Sequence, residues 1–475
     1  EAEKHEVKRL ALTDINSTSG SLYYAMEAQN RGIQTVLGVD FRNSAEQKFI
    51  ALAKTNYGFQ KINDYLSQLQ ALKIDVPDEA PEIDDAFIIY PLFNTPTRKL
   101  RFNEYVGITP SDKRTWALQN KAKYSDSKCV ALQPVTFRTK RDYNTHRLLR
   151  AIDKNILLSQ LQTSEQGQIE NTFQPVEQIN EAYHLYPHLI ANANNLLAQC
   201  EVHFDFNLKG KTQNKESFTG SAPSDFEMLK AMANEGLAYR FNNRITPEIS
   251  ERLEMELRVI NQCGFVPYFL INQTIVNYAR SKGYFYVGRG SGSNSLVAYL
   301  LRITNVNPIE LDLYFERFIN LYRRNPPDFD IDFSWTACDD VTRYIFERFP
   351  NSALLATYST FQYRAVVREL GKVFGLPKQE IDKLSKGHLN MSRLDKLSQL
   401  VLKYGSLIQD FPSHLSIHAG GILISEKPIE HYTATFMPPK GYPTTQFDMV
   451  VAEDVGLYKF DILSQRGLGK IKDAV

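Results

Sequence analysis

Residues 326–333 read Pro-Pro-Asp-Phe-Asp-Ile-Asp-Phe. In a strand, successive side chains alternate between faces, which puts Asp328, Asp330 and Asp332 on one side and Phe329, Ile331 and Phe333 on the other. Asp is a poor strand former, and like charges on neighbouring positions of one face repel, so this row destabilises a sheet unless a cation sits over it. A pair of divalent metal ions meets that need. Carboxylates two residues apart lie about 6.5–7 Å apart along a strand, close enough to converge on two ions spaced by ~3.5–4 Å. Mg²⁺ suits such a site, being a hard cation that takes carboxylate, water and phosphate oxygens together. The alternative is a solvated acidic face on an edge strand.

A second alternating segment, residues 455–463 (VGLYKFDIL), puts Lys459 and Asp461 on one face and Tyr458, Phe460 and Ile462 on the other. If the two strands pair, Asp461 joins Asp328 and Asp330 around the metals. Lys459 then reaches a phosphate oxygen as a point charge, an arrangement suited to phosphoryl transfer. Read alone, Lys-x-Asp is more often a surface ion pair.

Residues 286–296 (YVGRGSGSNSL) follow a predicted strand at 284–287 and lead into a predicted helix at 297–303. Gly288, Gly290 and Gly292 permit close backbone approach, Ser291 or Ser295 can cap or donate, and amide groups with the helix dipole can face an anion. Neither the G-x-x-x-x-G-K-[ST] loop nor a proper G-x-G-x-x-G fingerprint is present; a glycine-rich turn that binds nothing is the alternative. A predicted amphipathic helix over 308–320 and the following LYRRN bring Arg317, Arg323 and Arg324 near Asp328 in sequence. Guanidinium forks bind phosphate well, although Arg317 paired with a nearby Glu, and solvated Arg323 and Arg324, are open readings. The occurrence of an anion cradle, arginines, metal carboxylates and a Lys-x-Asp strand in one chain favours phosphate chemistry.

These groups need a scaffold, and 475 residues provide it: at about 150 residues per domain, roughly three domains are expected. Hydrophobic residues make up 43% and charged residues 23%, as in an ordinary globular protein. The net charge of +1 leaves any polyanion to be held by a local patch, so charge balance neither suggests nor excludes nucleic acid. The four cysteines form no C-x-x-C pair, so neither a disulfide framework nor a zinc knuckle is suggested, and a reducing compartment is the natural reading. No run of 18 apolar residues and no signal peptide occur, so a cytoplasmic protein with no membrane partner is expected. The chain starts without Met and stops inside a predicted helix, and is read as a fragment.

From Lys8 the pattern is α/β: strand 10–13, a turn, a helix around 23–30 and strand 35–39. A Pro- and acid-rich loop at 76–85 precedes strand 86–90, and helices are expected through Ala198. Residues 207–225 read as a linker, and helices follow over 226–244 and 247–262.

The residues named so far resemble the catalytic palm of family C replicative DNA polymerases, the bacterial DNA polymerase III alpha subunits. The match runs through Pro267–Ile271, the GRGSG loop, Leu311–Asn320, PDFDIDF, STFQYRAVVRELGKVFGLP, HAGGILI, TQFD and KFDIL. The resemblance implies an α/β protein: a polymerase and histidinol phosphatase (PHP)-like domain at 1–200, a linker at 201–225, and a polymerase-beta-like palm. The palm is a mixed sheet with helices, in two parts at 226–360 and 413–475, with an inserted helical thumb at 361–412. It implies Asp328, Asp330 and Asp461 as catalytic ligands of two Mg²⁺ ions, and Gly290, Ser291, Arg317, Arg323 and Lys459 as nucleotide-phosphate contacts. It leaves the role of Asp332 open. His418 and the two glycines after it are expected to form a tight palm turn near DNA, and His414 with His418 lacks the HEXXH zinc pattern.

The implied activity is a DNA-directed DNA polymerase acting on primer-template DNA and dNTPs, with partners such as the sliding clamp held through parts outside this sequence. Alternatives are an error-prone (translesion) polymerase of the same family, suggested by the shortened loop VGRGSGSNS, or a non-catalytic scaffold. In the PHP-like part, Asp14 and Asp40 stand at matching places. Ile15 and Lys48 stand where histidines are expected, so no phosphoesterase activity is predicted there.

Overall fold

The structure, a computed structural model, describes residues 1–120, 123–206, 212–242, 244–319, 329–387 and 394–474. Asp328, Arg323 and Arg324 lie outside the described residues. The chain divides into two compact units, one of residues 1–203 and 358–416, the other of residues 204–357 and 417–475.

The first unit is built on a six-stranded sheet of β1 (Arg9–Ile15), β2 (Gln34–Asn43), β3 (Glu46–Ala53), β4 (Ala86–Pro91), β5 (Glu104–Ile108) and β6 (Cys129–Ala131), in that spatial order. β1 and β2 run parallel, as do β4, β5 and β6, while β3 is antiparallel to both its neighbours. Val36, Leu37, Val39 and Phe41 are all fully buried, so β2 is covered on both faces, the usual state of a strand in an α/β sheet. The expected strand at 35–39 is thus the centre of a longer one that turns back into β3. β5 and β6 occupy a region where helices were expected. Five and three residues are too short to carry a period of two, and only pairing to β4 defines them.

Within 361–412 the described residues form helices Tyr363–Val373, Lys378–Ser385 and Lys396–Ile408. Val366, Val367, Leu370, Val401 and Ile408 share one hydrophobic cluster with Leu148 and Ala151 of the helix Lys140–Lys154.

The second unit holds a seven-stranded mixed sheet. Its strands are β7 (Tyr286–Arg289), β8 (Asp330–Ser334), β9 (Ser352–Thr360), β10 (Pro412–Ile424), β11 (Thr435–Phe436), β12 (Thr444–Thr445) and β13 (Lys459–Gln465). Their spatial order is β11-β12-β9-β10-β13-β8-β7. Helices Ala222–Phe241, Pro247–Gln262 and Val266–Ser281 supply Leu229, Leu257 and Phe269 to the core beneath it. The first of these helices begins inside the segment read as a linker: Ser221 caps it, and buried Asp225 accepts hydrogen bonds from the Phe218 and Thr219 amides.

Two local expectations fail. Residues 308–319 form turns and a single 3₁₀ turn, Phe315–Arg317, in place of an amphipathic helix; the apolar spacing is used to bury Phe315, Phe318 and Ile319. His418, Gly420 and Gly421 lie inside β10 and form no tight turn, with Gly421 opposite Asp461. Among the described residues no helix is long and apolar enough to cross a membrane.

Candidate active site

The two strands singled out by their charges are neighbours. β8 lies between β7, to which it is antiparallel, and β13, to which it is parallel. The register sets Asp461 opposite Asp330 and Arg289 on the other side of Asp330, so the two carboxylates sit one strand spacing apart, about 4.8 Å between backbones. Alternation works as the sequence demands: Phe329, Ile331 and Phe333 are at most 2% exposed and pack into the core, which turns Asp330 and Asp332 to the opposite face. Tyr268 stacks on Phe329 and also packs on Phe460, bracing the apolar undersides of both strands.

Charge on the acidic face is balanced by two cations. Arg289 bridges Asp330 at 3.0 Å and Asp332 at 2.8 Å, and these carboxylates, Asp332 first, hold its guanidinium pKa above the usual range. Lys459 pairs with Asp461. Asp461 is buried, and its Oδ1 has no hydrogen-bond partner among the described residues, although a buried carboxylate oxygen ordinarily has one. A hard divalent cation fits this donor set, because it would satisfy that oxygen and draw in Asp330 from the adjacent strand. Among the described residues no group of three or more His, Cys, Asp or Glu side chains converges as a metal site; Arg289 and Lys459 engage the three described acids of this face.

The glycine loop differs from the expected anion cradle. Gly290 has φ +82°, a left-handed conformation suited to glycine. A Cβ on Gly288 would sit 2.0 Å from the Ile303 carbonyl oxygen, and one on Gly292 would sit 2.3 Å from the Phe329 ring. The close approaches these glycines permit are therefore to the protein's own backbone and core. The helix after the loop is only Leu296–Leu300, and its N-terminus already holds an anion. The Glu256 carboxylate accepts from the Leu296 and Val297 amides at 2.9 and 3.0 Å, from Ser295 Oγ at 2.8 Å and from Arg252 Nε at 2.7 Å. Glu256 and Ser295 are fully buried. Burial pushes the Glu256 carboxyl upward in pKa, against the pull of Arg252 and the amides. Arg252 also donates to the Asn294 and Leu313 carbonyls, so one buried pair ties together both ends of the segment between loop and 3₁₀ turn.

Of the predicted phosphate contacts, Gly290 is exposed and Ser291 partly buried in the loop, and Lys459 stands beside Asp461. Arg317 is exposed in the turn at 315–317, and its side chain makes no hydrogen bond or ion pair to another described residue. Arg323 and Asp328 fall outside the described residues. Sequence reasoning missed Arg289 and Glu256. Arg289 was legible, since two steps of strand alternation from Val287 put it on the acidic face. Glu256 was not, being one acid among several on an amphipathic helix.

The family model for the bacterial DNA polymerase III alpha NTPase domain matches residues 227–464, half of the chain. The chain belongs to the bacterial DNA polymerase III alpha family. Relatives from that family include an error-prone DNA polymerase of Symbiobacterium thermophilum, 28% identical over 100% of this chain and 50% of that protein. The DNA polymerase III subunit alpha of Bacillus subtilis is 29% identical over 99% of this chain and 47% of its own length. That of Buchnera aphidicola is 32% identical over 73% of this chain and 32% of its own. The chain thus spans about half the length of the relatives that match it throughout.

In the first unit, Asp40, at a position that matches the expected metal-ligand pattern, and Lys48, at one that departs from it, both carry ion pairs. Asp40 accepts from Arg42 and Gln47, and Lys48 bridges Glu46 and Asp78 at 2.7 Å each. Burial pushes the Asp14 carboxyl upward.

Proposed function

We propose that this chain carries the catalytic face of a DNA-directed DNA polymerase, which adds a dNMP to a primer 3′-hydroxyl by nucleotidyl transfer in DNA replication. The observation that carries the reading is the register that sets Asp461, with a buried oxygen unpartnered among the described residues, opposite Asp330. Asp328, Asp330 and Asp461 would hold two Mg²⁺ ions, which when bound supply charge for the attacking and leaving oxygens. The chain's own groups do the rest. Lys459 turns from Asp461 to an incoming phosphate as a compact point charge. Arg317 and Arg323 neutralise the triphosphate as forks, and Gly290 and Ser291 offer backbone and hydroxyl donors that fix its position. Rigidity comes from the Tyr268, Phe329 and Phe460 packing beneath the strands and from Glu256 behind the loop.

In this reading the second unit is the palm, residues 361–412 of the first unit are the thumb, and residues 1–200 are a PHP-like scaffold without phosphoesterase activity, with Asp40 neutralised by Arg42 and Lys48 in place of a histidine. The clamp and other replicase subunits would bind through the remaining half of the relatives' length, and the cytoplasm is the expected site of action.

The test is primer extension by this chain and by a full-length parent, each with Asp330→Asn. Loss of incorporation with an unchanged melting curve supports the reading; extension at the normal rate sinks it. Relatives named error-prone favour a second reading within the same chemistry, which a misincorporation assay on the full-length parent distinguishes.

A further inference from the structure

On the far face of the sheet from the carboxylates, three arginines gather around tyrosines, paired with no acid among the described residues. Tyr286 pairs in register with Phe333 and packs on its ring, so it lies on the core side of β7, opposite Arg289 and Asp330. Its hydroxyl donates to the Arg302 carbonyl at 2.6 Å, and Arg280, Arg240 and Arg302 all act on it electrostatically. Arg302 lies 3.3 Å over the ring of Tyr239, which is 58% exposed, and Arg240 lies 4.2 Å over Tyr299. Arg240 donates to the Tyr299 and Thr304 carbonyls and to Asn305. None of the three makes an ion pair with another described residue, and Arg240 and Arg302 instead lie over tyrosine rings.

The backbone adds an independent sign. Arg302 follows the C-terminus of the helix Leu296–Leu300 in a left-handed conformation, φ +62°. Glycine or asparagine ordinarily takes that position, and an arginine there is conformationally costly. What the residue gains is its guanidinium laid flat on an exposed tyrosine. Unneutralised guanidiniums interleaved with aromatic rings match a flexible polyanion with stackable bases, where phosphates meet the cations and a base meets the open ring.

We propose that Arg240, Arg280, Arg302 and Tyr239 form a binding patch for single-stranded DNA, separate from the carboxylate face. The proposal concerns binding alone and does not rest on the nucleotidyl-transfer reading. Its test is fluorescence anisotropy of a labelled oligo-dT 20-mer with this chain, without divalent metal or dNTP, across a salt series. The variant is Arg280→Gln with Arg302→Gly, in which glycine suits the left-handed backbone and preserves or raises stability. Two lost phosphate contacts should weaken binding at least tenfold and flatten the slope of log affinity against log salt by about 1.4, at ~0.7 per contact on a single strand. Tyr239→Ala should weaken binding several-fold, and Tyr239→Phe should restore it. An unchanged affinity and slope in the arginine variant overturns the proposal. So does displacement of the oligonucleotide by polyglutamate at equal charge concentration, which would mark an acidic polypeptide as the partner. Primer extension measured on the same variants keeps the two readings apart, since a chain without polymerase activity can still lose oligo-dT binding.

Discussion

Replacing Glu256 should destabilise the second unit more than any nearby surface change, and the size follows from what its carboxylate holds. In Glu256→Ala the Leu296 and Val297 amides lose their acceptor in a fully buried setting, at roughly 1–3 kcal/mol each. Arg252 loses its charge partner but keeps the Asn294 and Leu313 carbonyls, and its side chain is 18% exposed. Its share therefore sits at the low end of the ~3–5 kcal/mol typical of breaking a buried pair. The total, about 5 kcal/mol or more, is a large part of the ~5–15 kcal/mol that stabilises a typical domain. Glu256→Gln keeps the volume and one acceptor oxygen, and should cost about 2–3 kcal/mol.

The assay is urea unfolding followed by tryptophan fluorescence in a Trp116→Phe background. The chain has two tryptophans, and Trp335 is the one in the second unit. If both variants unfold within about 0.5 kcal/mol of the parent, the range of an ordinary surface change, then Glu256 does not anchor the loop and the reasoning from buried amides is wrong.

Other outcomes follow from the same geometry. Arg289→Ala should let the acidic face bind Mn²⁺ a few-fold more tightly, measured by electron paramagnetic resonance titration, because a half-exposed guanidinium no longer competes for Asp330 and Asp332; weaker binding would mean that Arg289 organises the acids. Gly292→Ala drives a methyl to 2.3 Å from the Phe329 ring and should lower stability by roughly 1–3 kcal/mol in the same unfolding assay. His431 is half-buried beside Lys427, and partial burial first, then that charge, lower its pKa to about 4. A histidine with a depressed folded value contributes stability that is present above its unfolded pKa of ~6.5 and is lost as pH falls toward 4. About 3 kcal/mol should disappear across that window, and His431→Gln should flatten the curve; an equally steep curve in the variant would assign the loss to other groups.

Strand chemistry was readable from residue order alone. PDFDIDF and LYKFDIL alternate because a pleated chain has a period of two, and that period separates acids from phenylalanines before any fold is known. Helices over 226–244 and 247–262 were legible from apolar spacing, a property of neighbours within four residues, although the first begins at 222, inside the segment read as a linker. Family membership likewise came from short motifs.

Tertiary structure decided the rest. Whether Asp461 meets Asp330 depends on pairing between segments 131 positions apart, and no local rule sets that register. The same holds for β5 and β6, which exist only through their neighbours. The segment 308–319 shows the converse: its apolar spacing imitates a helix, yet what it satisfies is burial of Phe315, Phe318 and Ile319 in a core that the sequence does not display. Occupation of the short helix's N-terminus by Glu256, 40 residues before Leu296, is likewise a property of packing. A linear chain specifies which groups repel or avoid water, and only the folded arrangement specifies which of them are brought within hydrogen-bonding reach.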